Sequence, residues 1–227
     1  MEMPTRLSKI GDLEEQDHHH LPPGATCFFW GEYTPPKYVD GRPWDFSATN
    51  QLIFNFKKKM DKRGQPGWQF KEQAITQVAA SYAKNWKWDE LVRLNTMLVP
   101  IPPSKKRDDP AYDDRMLATL KKVAIMSRQK LDIRDCLSFD GSIPASHESD
   151  DRPSLEQLYD ALEFDQTVGK PEAQPKVIML FDDMLTSGAH YVAASRRLAE
   201  YYPGVKVVGQ FVARRRIPNP FEDLDDL

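Results

Sequence analysis

Between Lys176 and His190 the chain reads Lys-Val-Ile-Met-Leu-Phe-Asp-Asp-Met-Leu-Thr-Ser-Gly-Ala-His. No other stretch constrains the fold as strongly. Its apolar run is too short to span a membrane and fits a strand buried on both faces, as in a parallel sheet. The run stops at two adjacent carboxylates, Asp182 and Asp183, before a small-residue loop and a helical pattern. Thr186, Ser187 and Gly188 fall where loop turns into helix. Backbone N–H groups and two hydroxyls there make an anion cradle at the positive end of a helix. Two acids beside such a cradle are suited to something other than the anion. Vicinal ribose hydroxyls are fitting partners, because an ionised carboxylate only accepts hydrogen bonds. The plainer alternative is a strand–turn–helix in which Asp183 or Thr186 caps the helix.

The same order of residues resembles the phosphoribosyl-pyrophosphate (PRPP) motif of type I phosphoribosyltransferases. In that motif four apolar residues, two acids and two apolar residues precede a Thr-Thr-Gly-x-Thr-like loop. Here these are Ile178–Phe181, Asp182-Asp183, Met184-Leu185 and Thr186-Ser187-Gly188-Ala189-His190. Ser187 keeps a hydroxyl at the second loop position, whereas His190 departs from the usual final threonine. The resemblance implies that Asp182 and Asp183 are the catalytic acids, holding the ribose hydroxyls and the shell of a Mg²⁺ cofactor. It implies that Thr186, Ser187, Gly188, Ala189 and His190 receive the 5′-phosphate.

Thr96–Pro102 reads as the first core strand and is followed by Pro103-Ser104-Lys105-Lys106-Arg107. A Val-Pro-x-Pro strand before a basic loop resembles the ComF-like amidophosphoribosyltransferase relatives. In type I enzymes the loop after this strand binds pyrophosphate, often through a strained or cis peptide. By position, Ser104, Lys105 and Arg107 take that role; an exposed basic loop is the alternative. The Arg-Gly-x-Asn segment of those relatives has no match near Tyr112–Arg115, so nothing is carried over there.

The chain has 227 residues, which suits one domain, or one with an appendage. Apolar residues make up 40% and charged residues 29%, which excludes a disordered chain. The net charge of −3 gives no global nucleic-acid signature. With no signal peptide, no membrane-length run and only Cys27 and Cys136, a cytoplasmic protein with reduced thiols is expected. His18-His19-His20 reads as a solvated loop, with no second ligand group nearby to make a metal site.

Other expectations follow from periodicity and turn chemistry. They are a strand at Cys27–Thr34, a Ser47-capped helix to Met60, and a helix from Phe70 to Trp86. A helix is expected to open at Asp109-Pro110. A second core strand should run from Asp132 to Phe139, and a Ser154-capped helix to Phe164. A helix is expected from Ala189 to Tyr202 and a strand from Val205 to Ala213. The polar stretch 140–153 reads either as a lid, with Ser146, His147 and Arg152 as contacts, or as a disordered linker. The whole is an α/β fold: a doubly wound parallel sheet of the type I phosphoribosyltransferase kind. Residues 1–25 are irregular, 26–95 form a helical, aromatic-rich hood, 96–217 form the core and 218–227 an acidic tail.

The implied activity is transfer of 5-phosphoribose from PRPP to a nucleophilic acceptor, with pyrophosphate released. In purine-salvage members an aspartate usually stands at the position of Thr186, so an acceptor that is already nucleophilic, such as an amine, ammonia or a pre-ionised ring nitrogen, suits this chain better than hypoxanthine or guanine. An alternative stays open: a non-catalytic PRPP or nucleotide sensor on the same fold, stress- or defence-associated, that binds nucleic acid through Lys57–Lys59 and Arg214–Arg216. No membrane partner is expected, and a homo-oligomer is compatible with the chain.

Overall fold

The computed structural model describes residues 6–143 and 153–218. The proposed lid contacts Ser146, His147 and Arg152 and the acidic tail beyond Pro218 lie outside the described residues. The strands are β1 (Ser8–Lys9), β2 (Thr26–Tyr33), β3 (Thr96–Pro100), β4 (Asp132–Ile133), β5 (Leu137–Phe139), β6 (Leu162–Phe164), β7 (Val177–Leu185) and β8 (Lys206–Arg215). The α-helices are α1 (Asp12–Glu15), α2 (Ala48–Phe56), α3 (Gln69–Asn85), α4 (Trp88–Arg93), α5 (Arg115–Ser127), α6 (Leu155–Asp160), α7 (Gln166–Gly169) and α8 (Ala189–Tyr201).

Six strands form the central sheet in the order β1-β2-β8-β7-β3-β4, and β5 and β6 make a separate antiparallel pair. All neighbours from β2 to β4 run parallel; β1 alone is antiparallel to its neighbour. Such a sheet must be covered on both faces. One face buries Ile178, Leu180 and Phe211 with Ala194 and Leu198 of α8 and Leu158 of α6. The other buries Met179, Phe181 and Val212 with residues of α2, α3 and α5, among them Phe56, Tyr82 and Leu120. The alternation of neighbouring residues of β7 between the two cores is why its whole apolar run is buried.

Chain order fixes where a ligand can enter. From β3 the chain passes through α5 to β4 on one side; from β7 it passes through α8 to β8 on the other. The order therefore reverses between β3 and β7, which are hydrogen-bonded neighbours. In open parallel sheets the crevice beyond the carboxyl ends of such strands is where ligands bind.

Several elements differ from the sequence reading. Strand Thr26–Tyr33, expected in a hood, lies inside the central sheet, with Thr26 opposite Val208 and Tyr33 opposite Arg215. The expected strand Asp132–Phe139 is broken. Its first part pairs with β3 and its second with β6. The break serves Arg134, a buried side chain that donates to the carbonyls of Gly169, Lys170 and Ala173 and to Asp132. Asp109 does not start a helix. Its side chain accepts from the Ala111 N–H at 2.7 Å in a local turn, and α5 begins at Arg115. Ser154 caps α6 as expected, but the helix ends at Asp160 and the chain turns into β6. The described residues contain no cis peptide bond, so the loop after β3 uses trans peptides.

Candidate functional site

Asp182 and Asp183 occupy the last turn of the pleat in β7, and their surroundings separate them. Asp183 is buried. Arg115 donates to its Oδ2 through Nε at 2.8 Å and through Nη2, and Lys57 Nζ reaches its Oδ1 at 3.1 Å. Arg115 also binds Asp113 at 2.7 Å, and Asp113 takes a second cation, Lys71, at 2.7 Å. Three cations and two carboxylates thus form one chain of ion pairs, Lys57–Asp183–Arg115–Asp113–Lys71. Lys71 is 2% exposed and spends its other donors on the carbonyls of Phe56 and Lys58, each at 2.9 Å. Burial lowers its pKa, with Asp113 opposing that shift.

The network exists because four elements deliver its members. Gly31 of β2 lets α2 approach closely: a Cβ there would sit 2.3 Å from Thr49 Oγ1. Asn50 of α2 clasps the end of that strand, accepting from the Thr34 N–H at 3.2 Å and donating to the Thr34 carbonyl at 2.8 Å. Ser47 caps the helix through the Asn50 N–H at 3.0 Å. The C-cap of α2 is Lys57, which therefore points its ammonium at the end of β7. Arg115 is the first residue of α5, and Lys71 lies in the first turn of α3.

The two acids titrate in opposite directions. Burial raises Asp183, yet Arg115 and Lys57 hold it well below the usual carboxylate range. Burial and the adjacent Asp183 charge push Asp182 up to about 7. Asp182 keeps part of its surface in the crevice, and its Oδ1 accepts from the Asp183 N–H at 2.7 Å. It is the acid with capacity left for a ligand.

The loop after β7 leaves the head of α8 without a side-chain cap. Gly188 is the N-cap, at φ 91°. The N–H groups of the first helical turn have no intrahelical partner. His190 lies edge-on to Phe139, centroids 6.1 Å apart. Burial and the nearby Lys57 charge push its imidazole down to about 4. It is neutral at pH 7, so it can offer a phosphate an N–H but no charge.

The expected site residues are only partly brought together. Asp182 and Asp183 line a crevice of about 30 Å³ with Pro100–Pro103, Asp113, Arg115 and Asp135. That is room for a water or two, far below the roughly 300–1,000 Å³ of a ligand pocket. Ser104 and Lys105 line a separate open groove of about 590 Å³ with Lys106, Asp108 and Gly141. Arg107, expected to contact pyrophosphate, is engaged elsewhere. It pairs with Asp135 and donates to the carbonyls of Asp135 at 2.8 Å and Leu137 at 3.1 Å, tying the loop to β5. A Mg²⁺ ion held by both acids does not fit this donor set, because Asp183 is taken by two cations. No cluster of three potential metal ligands occurs among the described residues.

The sequence reading gave no role to Asp113, Arg115 or Lys71, and a minor one to Lys57. The available signal was Asp113-Asp114-Arg115, three charges set directly before an apolar helical pattern. Of the basic residues in the alternative reading, Lys59 is exposed and the others have partners. Arg214 binds Glu32 and, at 3.3 Å, Asp17; Arg216 reaches Glu32 at 3.3 Å. Lys58 donates to the Gly67 carbonyl at 2.7 Å. Compared with known proteins, the chain matches no family model and no curated sequence. No helix among the described residues is long and apolar enough to cross a membrane.

Proposed function

We propose that the protein binds PRPP beyond the carboxyl ends of β3 and β7 and transfers its 5-phosphoribosyl group to a nucleophilic amine. One observation carries this reading. A partly buried carboxylate near the end of β7, Asp182, and the uncapped N-terminus of α8 flank a single loop beside the point where strand order reverses. The α8 amides suit a 5′-phosphate. Asp182, once ionised, accepts from ribose hydroxyls and faces the carbon that becomes cation-like as pyrophosphate departs. Ser104 and Lys105, on the loop after β3, are assigned to the diphosphate, which would have to extend from the crevice into the separate groove they line. Asp183 anchors Arg115 and Lys57 and is not itself the ribose ligand.

The small crevice favours a second reading, a PRPP sensor that binds without transfer. Both readings require Arg115 or Lys57 to yield space to the ligand. Calorimetric titration with PRPP, followed by a pyrophosphate-release assay against ammonia, simple amines, hypoxanthine and guanine, separates them. The first reading expects micromolar-range binding and release with an amine or ammonia. Binding with no release on any acceptor selects the sensor. Absence of PRPP binding removes both.

A further inference from the structure

Residues 17–21 cross the loop after β7 as a strap. His18 is 1% exposed, although it is polar and belongs to no helix or strand. Its Nδ1–H donates to the carbonyl of Thr186. Two residues on, the His20 N–H donates to the carbonyl of Ser187 at 2.9 Å. Leu21 then packs on Gly188, where a Cβ would meet Leu21 Cγ and Cδ2 at 3.0 Å. The strap is fixed from behind as well. The Asp17 carboxylate accepts from Arg214 at 3.3 Å, and its carbonyl accepts from Arg215 at 3.1 Å.

Peptide geometry turns these contacts into an orientation. In a trans peptide the C=O and the following N–H point opposite ways in one plane. Pinning the Thr186 and Ser187 carbonyls to the strap therefore aims the Ser187 and Gly188 N–H groups away from it. An anion at the head of α8 draws on donors of this kind. A purely structural role explains His18 poorly. Its Nε2 is buried with no hydrogen-bond partner, and an apolar side chain would fill the space without that penalty. We propose that His18 is a positioning residue: through the Thr186 carbonyl, with the His20 amide on Ser187, it holds the loop in its anion-receiving form. This rests on the reading of the loop as a phosphate site. Donors fixed in advance bind with less ordering cost.

The test is calorimetric titration of the full chain with ribose 5-phosphate. His18→Ala should weaken affinity about fivefold, the equivalent of one ordinary hydrogen bond. His18→Asn, whose Nδ2 takes the place of the imidazole Nδ1, should restore it. Amide exchange at Ser187 and Gly188, read by NMR without ligand, should quicken in His18→Ala and not in His18→Asn. Should His18→Ala fail to fold, His18→Leu against His18→Asn carries the same comparison. Equal affinity in wild type and His18→Ala overturns the inference alone. So does an Asn variant as weak as the Ala variant, since volume and not the donor would then matter. A wild-type protein that ignores ribose 5-phosphate overturns the reading of the site and the inference with it.

Discussion

Asp182 and Asp183 are neighbours of identical chemistry with opposite energetic roles, and their variants should diverge accordingly. Asp183→Asn leaves Arg115 and Lys57 short of a buried counter-charge and should cost about 3 kcal/mol of stability. Asp182→Asn removes a carboxylate that folding forces toward neutrality, and should stabilise the protein above pH 7. The signs follow from proton linkage. The pKa of Asp182 rises from 3.8 to about 7 on folding. Across that window the folded state holds more protons, so wild-type stability falls as pH rises, and Asp182→Asn should lose this slope. Asp183 is shifted down. Its contribution is complete above the ordinary carboxylate value and fades as pH falls through the folded value. Urea midpoints for the three proteins between about pH 2 and pH 8 check both slopes.

Among the elements, α2 deserves the closest test because it carries Lys57 to the end of β7. Ser47→Ala removes its cap and should cost about 1 kcal/mol in urea unfolding. It should also loosen the Lys57–Asp183 contact, seen as a smaller penalty for a subsequent Lys57→Met. This cap was legible in the sequence, as were α3, α8, β7 and the Ser154 cap of α6, because each is written in local spacing and cap chemistry. What was not legible depends on partners far along the chain. The break in Asp132–Phe139 answers to Arg134, whose carbonyl acceptors lie 35–39 residues away. The late start of α5 follows Asp113 and Arg115, which are recruited by Lys71 and Asp183 across 42 and 68 residues. The sequence showed that Asp182 and Asp183 end a buried strand, but not that one of them would be held by cations from two other helices. His18 looked solvated because nothing in its neighbourhood announces the loop it bonds to, 168 residues away.

For the molecule as a whole, pairing of Arg214 and Arg216 with Glu32 and Asp17 leaves little basic surface on that side. Binding to a single-stranded oligonucleotide at 150 mM salt should be weak, and Arg216→Gln should leave its salt slope unchanged within error. A fall in slope of about one would instead mark a phosphate contact. The pairing of β2 with β8 has a further consequence, for the way the chain is made. Thr26 lies opposite Val208, so an early strand waits for nearly the last one. At about 5–20 residues per second that delay is roughly ten to forty seconds on the ribosome. Throughout it the run Cys27-Phe28-Phe29-Trp30 has an open hydrogen-bonding edge. A nascent chain of this kind depends on shielding during synthesis, and released fragments ending before Lys206 should aggregate where the full chain does not.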